Sequence, residues 1–181
     1  DEEQVNKIHF WSSGPYRLER IEGKYQAKWV LGATGDLHRQ SVVNSLNFIL
    51  RDLPFSWGQL TDVNFEETFN LEDGNVLIHF VDLKTIPLCK TFWGGCVYFD
   101  YDLNMYVAII EPVYFYNINI LFFLVSHEVG GHAIFNMWDM YAPLHLTNAF
   151  GIMGGFWPAY ISHWIMADFE IKAAQDWLLF K

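Results

Sequence analysis

At 181 residues, with 52% hydrophobic and 18% aromatic side chains, the chain is long enough for one domain with a substantial core and too apolar for disorder. A formal net charge of −10 excludes nucleic acid as a partner class, and an acidic surface by itself names no partner. The most apolar window, residues 105–125, has the length of a membrane span. It carries Glu111, Pro112, Asn117 and Asn119, each costly in a lipid-facing helix, so no span is expected.

Residues 1–24 are polar and mixed, broken by Gly14-Pro15 and Gly23, and read as an N-terminal arm; residues 25–181 read as a single domain. The start at Asp1 rather than Met is what a processed or trimmed chain would show. Residues 25–31, rich in Tyr, Trp and Val, read as a first strand. Asp36 is then a fair N-cap for a helix to about Leu53, whose apolar positions recur at three and four and which Pro54 and Gly58 should end. Strands follow at 63–69, 75–83, 95–100 and 105–111. The second alternates, with Val76, Ile78, Phe80 and Asp82 on one face and Leu77, His79 and Val81 on the other. The last two are joined by a turn at 101–104. Asn117 or Asn119 caps a buried helix, a loop rich in turn signals covers about 138–156, and a helix from Pro158 to about Phe180 closes the chain. The expected class is α+β, a mixed twisted sheet of about four or five strands with an antiparallel edge strand, two long helices and a C-terminal helix.

The buried helix carries His127-Glu128-Val129-Gly130-Gly131-His132. In the zinc-protease spacing H-E-x-x-H, both imidazoles share a helix face beside a glutamate that serves as general base. Here the histidines are five apart, about 140° in azimuth and about 7.5 Å along the axis of a straight α-helix, too divergent to chelate one ion. A local π-bulge would absorb the extra residue, and Gly130-Gly131 would let the backbone distort. Asn136 can take the left-handed conformation that ends a helix and turns the chain back. That makes Asp139 the best third ligand, with His145 as fallback.

Together with Asn136-Met137-Trp138-Asp139 and Gly151-Ile152-Met153-Gly154-Gly155, this motif resembles the metzincin metallopeptidases. Lys28-Trp29, the first helix and the strands at 76–80, 95 and 105 resemble their small matrixin branch, a zincin architecture, over about residues 25–157. The resemblance implies a zinc-dependent endopeptidase, with His127, His132 and Asp139 on Zn2+, Glu128 as base and Met153 in a methionine turn beneath the metal. A peptide or protein substrate would pair with the edge strand at Gly95 and Val97, and Phe156 and Trp157 would wall the pocket beyond the scissile bond. Tyr160 or His163 could support the oxyanion. Against the family pattern, the His127–His132 spacing is one residue long, a second extra residue follows His132, and Asn136 stands where the family has glycine.

Cys89 and Cys96 would form a hairpin disulfide in a secreted protein and stay reduced in a cytosolic one; the even count leans extracellular. Two other readings compete: a degenerate, inactive metzincin fold kept as a surface or interaction protein, and a binding module stapled by a structural zinc on Cys89, Cys96, His127 and His132. Asp100 and Asp102 read as turn formers rather than a calcium site.

Overall fold

The alternation Val76-Leu77-Ile78-His79-Phe80 becomes the central strand of a sheet covered on both faces. The structure, a computed structural model, describes residues 18–56, 62–137 and 168–179. It contains strands β1 (Glu19–Ile21), β2 (Lys24–Leu31), β3 (Val63–Glu67), β4 (Val76–Phe80), β5 (Gly95–Asp100) and β6 (Met105–Ile110), joined in one mixed sheet. Parallel β3 occupies one side of β2, while antiparallel β1 and parallel β4 share the other. The sheet continues through β6, parallel to β4, and ends at β5, which runs antiparallel to β6 and forms the edge.

Among the described residues the sheet has six strands rather than four or five. The added one is β1, inside the segment read as an arm. It reaches β2 through Glu22 (φ 53°) and Gly23 (φ 81°), a two-residue turn with both central residues at positive φ, as tight hairpins require. Glutamate at the first of these positions is not a usual turn signal, so the hairpin was invisible to pattern reading.

The helices are α1 (Arg39–Ser56), α2 (Ile118–Leu124) and α3 (Asp168–Leu179), and α2 runs straight into a π-helix at Val125–Ile134. Asp36 is not the cap of α1. A turn closed by Leu37 N–H to the Thr34 carbonyl (3.0 Å) uses up residues 34–37, and His38 caps instead, its Nδ1 accepting from Ser41 N–H at 3.4 Å. Nor does Pro54 end the helix, which runs to Ser56: in the last turn a missing N–H costs a single backbone bond.

One core lies between the sheet and the helices. Trp29, Ile78, Phe80, Ala108 and Ile110 meet Leu46 and Ile49 of α1, Val125 and Val129 of the π-helix, and Ala174 and Leu178 of α3. Each fully buried aliphatic chain of this kind contributes about 1.5–3 kcal/mol. The opposite face is closed by Leu83 and by Cys89 and Cys96, which form a disulfide with Cα atoms 5.6 Å apart. Disulfide-bonded sulfurs are not thiolate ligands, so this form has no Cys2His2 site. Among the described residues no helix is long and apolar enough to cross a membrane.

Candidate metal centre

The histidine-bearing helix starts as an ordinary α-helix. Asn117 caps it, its side chain accepting from Ile120 N–H at 3.3 Å. At Val125 the backbone widens. The Val125 N–H forks between the Leu121 and Phe122 carbonyls, and the Ser126 hydroxyl adds a 2.7 Å bond to Phe122 O. A serine hydroxyl bonded to the carbonyl four residues back loosens and bends a helix, and the change of register begins here. The wide register persists to Phe135, whose N–H reaches back five residues to Gly130 O at 3.0 Å. Asn136 then adopts φ 52°, and the Met137 N–H closes on Gly131 O at 2.8 Å. The left-handed stop expected at Asn136 is present. The expected local bulge is instead a ten-residue π-helix.

In an i→i+5 register, residues five apart come onto the same face of the helix. His127 and His132 accordingly converge: their Nε2 atoms are 3.2 Å apart, with ring centroids 4.7 Å apart and planes perpendicular at 89°. Glu128 Oε1 lies 3.7 Å from His127 Nε2. All ten residues of the π-helix are buried, and His127, Glu128 and His132 are at most 8% exposed. The His127 ring also lies against Phe123, at 5.4 Å between centroids.

His132 Nδ1 donates to the Met137 carbonyl at 2.8 Å. A carbonyl can only accept, so Nδ1 carries a proton, and Nε2 is the nitrogen that can offer a lone pair to the space between the histidines. Metal-bound imidazoles are oriented in the same way, by a hydrogen bond from the second ring nitrogen. With one ligand atom from each, His127, Glu128 and His132 lie within 4.8 Å of one another and form a group that could hold a metal ion.

Glu128 is also fitted to the sheet edge. A Cβ added at Gly95, the first residue of β5, would stand 2.7 Å from Glu128 Cγ and 2.9 Å from Oε1, so a glycine is needed where the edge strand passes the carboxylate. Val97 points into the helix-side core. Asp139, His145, Met153, Phe156, Trp157, Tyr160 and His163 lie outside the described residues. Asp100 is a turn former: its Oδ1 accepts from the Asp102 and Leu103 amides at 2.9 and 3.0 Å.

Three residues around the centre escaped the sequence reading. Met137 supplies the carbonyl for His132. Tyr106 of β6 donates its hydroxyl to the Asn136 side-chain oxygen. Trp177 of α3 donates Nε1–H to the Ile134 carbonyl at 3.0 Å, holding the end of the π-helix. Tyr106 alone left a trace, as a hydroxyl on a strand face otherwise made of Ala108 and Ile110. No family model matches the chain, and neither a curated protein nor a solved structure does.

Proposed function

We propose that this chain is a zinc-dependent endopeptidase domain of metzincin-like architecture. The observation that carries the reading is the convergence of His127 and His132 across a spacing that an α-helix would hold apart, with Glu128 beside them. Two nitrogens on one tetrahedral centre at about 2.0–2.1 Å stand about 3.3–3.4 Å apart. The two Nε2 atoms, at 3.2 Å, are close to that separation. The order of elements, with an antiparallel edge strand ahead of the motif helix, agrees with the architecture that the resemblance implies.

His127 and His132 would hold the ion, with Asp139 as the proposed third ligand. Zinc bound there supplies Lewis-acid polarisation of a scissile carbonyl and a lowered pKa for a bound water. Glu128 takes a proton from the attacking water at Oε1 and returns it to the leaving amine. The outer side of β5, unpaired among the described residues, would offer main-chain groups to an extended peptide along the strand that Gly95 lets pass close to Glu128. The disulfide between Cys89 and Cys96 is compatible with an extracellular setting.

The test is zinc content by elemental analysis together with cleavage of a peptide library, with and without chelator, by the wild type and Glu128→Ala. Stoichiometric zinc, chelator-sensitive cleavage by the wild type and none by Glu128→Ala is the expected result. Zinc binding with no cleavage by either protein would sink the enzyme and leave a metal-binding fold.

A further inference from the structure

We propose that Tyr106 is a positioning residue for His132, acting through Asn136 and the Met137 carbonyl. The inference rests on the reading of His127 and His132 as metal ligands. Tyr106 is 7% exposed and belongs to the core that joins β6 to the π-helix. Its hydroxyl donates to Asn136 Oδ1, a bond between residues thirty apart in sequence. Asn136 holds φ 52°, a left-handed backbone that asparagine enters more readily than other residues with a Cβ, and the bond from Tyr106 ties this turn to the sheet. The next residue, Met137, turns its carbonyl back onto His132 Nδ1 at 2.8 Å. One short path therefore leads from the sheet to the imidazole, and it governs two properties of that ring. It fixes the tautomer, with the proton on Nδ1 and the lone pair on Nε2. It also fixes the ring plane, which stands perpendicular to that of His127.

The anchor belongs on a strand. A partner within the π-helix would move with any change in the helix, whereas β6 is paired on both sides, with β4 and β5. The Tyr106 ring has its own edge-on packing against Phe99, with centroids 5.3 Å apart. Tyr106→Phe therefore keeps the packing and removes the hydroxyl alone. Asn136→Gly removes the acceptor while favouring the left-handed backbone.

Two measurements on each variant test the inference. In metal-free protein, NMR follows solvent exchange of the His132 Nδ1–H proton. Zinc affinity is measured by competition with a chromophoric chelator, and cobalt absorption reports the geometry of the bound ion. Both variants should speed Nδ1–H exchange, alter the cobalt bands and weaken zinc about tenfold, the low end of what loss of an outer hydrogen bond does to a metal site. The double variant should bind no more weakly than the weaker single one, because both lie on one path. Wild-type exchange and wild-type affinity in Tyr106→Phe would overturn the proposal, as would lost thermal stability with unchanged exchange. If the wild type takes up no zinc, the metal reading fails by itself, and the exchange measurement still decides whether Tyr106 controls the His132 ring.

Discussion

A single methyl group at Gly95 measures how closely the sheet edge is fitted to Glu128. In Gly95→Ala the new Cβ would stand 2.7 Å from Glu128 Cγ, 3.0 Å from Cδ and 2.9 Å from Oε1. Carbon atoms in contact rest at about 3.5–4.0 Å, so Cγ must retreat by about 0.8–1.3 Å. Cγ is one bond from a Cβ fixed to the helix, and Glu128 is only 4% exposed, so the side chain cannot swing clear by itself. β5 or the π-helix must shift with it. Overpacking of this kind costs about 1–3 kcal/mol, and at about 2–4 °C per kcal/mol for a chain of this size, Tm should fall by about 2–12 °C. If Glu128 is the proton carrier, a displacement near 1 Å also lowers kcat about 100-fold. The assay is a set of thermal melts followed by circular dichroism on wild type, Gly95→Ala, Glu128→Ala and the double variant. Truncating Glu128 removes all three clashing atoms, so Gly95→Ala should cost almost nothing in the Glu128→Ala background. An equal loss in both backgrounds, or no loss in the wild type, would refute the contact as the reason for the glycine.

Three further outcomes follow from the same geometry. Deleting Gly131 shifts His132, Asn136 and Met137 together by one residue against His127 and against Tyr106 on the sheet, which disturbs both the His127–His132 convergence and the Tyr106–Asn136 bond, so zinc affinity should drop at least about tenfold although the motif then reads H-E-x-x-H; a chelator-competition titration showing tighter binding would mean that the wide register is a defect. Trp177→Phe removes the bond to Ile134 O and should cost about 1 kcal/mol in urea unfolding, leaving the Ile134 carbonyl at the end of the π-helix without that donor. Burial holds the His79 imidazole below its ordinary range near 6.5, where its Nδ1 accepts from Ala33 N–H. The unfolded chain then binds the proton more readily than the native one, so the stability contributed by His79 is complete above about pH 6.5 and declines as pH falls through the lower native value. Urea unfolding at several pH values should show that acid slope in the wild type and less of it in His79→Asn.

Local chemistry carried much of the fold into view. The alternation at 76–80 and the turn at 101–104 depend on neighbours in sequence; the strands at 95–100 and 105–110 closely follow the expectation, while the one expected at 75–83 stops at Phe80, because Asp82 caps a short 3-10 turn at Leu83–Thr85. Asn136 took its left-handed conformation because asparagine is one of the few residues with a Cβ that enters it readily. The start of α1 moved because Asp36 is a good cap only if the chain before it is not already committed to a turn, and Thr34 had committed it. At the site, the glycine pair signalled distortion but not its extent. Hydrogen-bond register over ten residues depends on how both helix ends are held, and those ends are held by Ser126, Tyr106 and Trp177. Two of these contacts bridge 30 and 43 residues, beyond the reach of any local pattern.

The π-helix joins backbone register and imidazole separation into one variable. In the five-residue register His127 and His132 touch; retightened to an α-helix, the same two residues would face about 140° apart. Any ligand that draws the two nitrogens together therefore favours the wide backbone by the full difference in its affinity for the two registers, and the wide backbone favours that ligand equally. The five-residue spacing thus links the winding of this stretch of helix to ligand occupancy, so that each reports on the other.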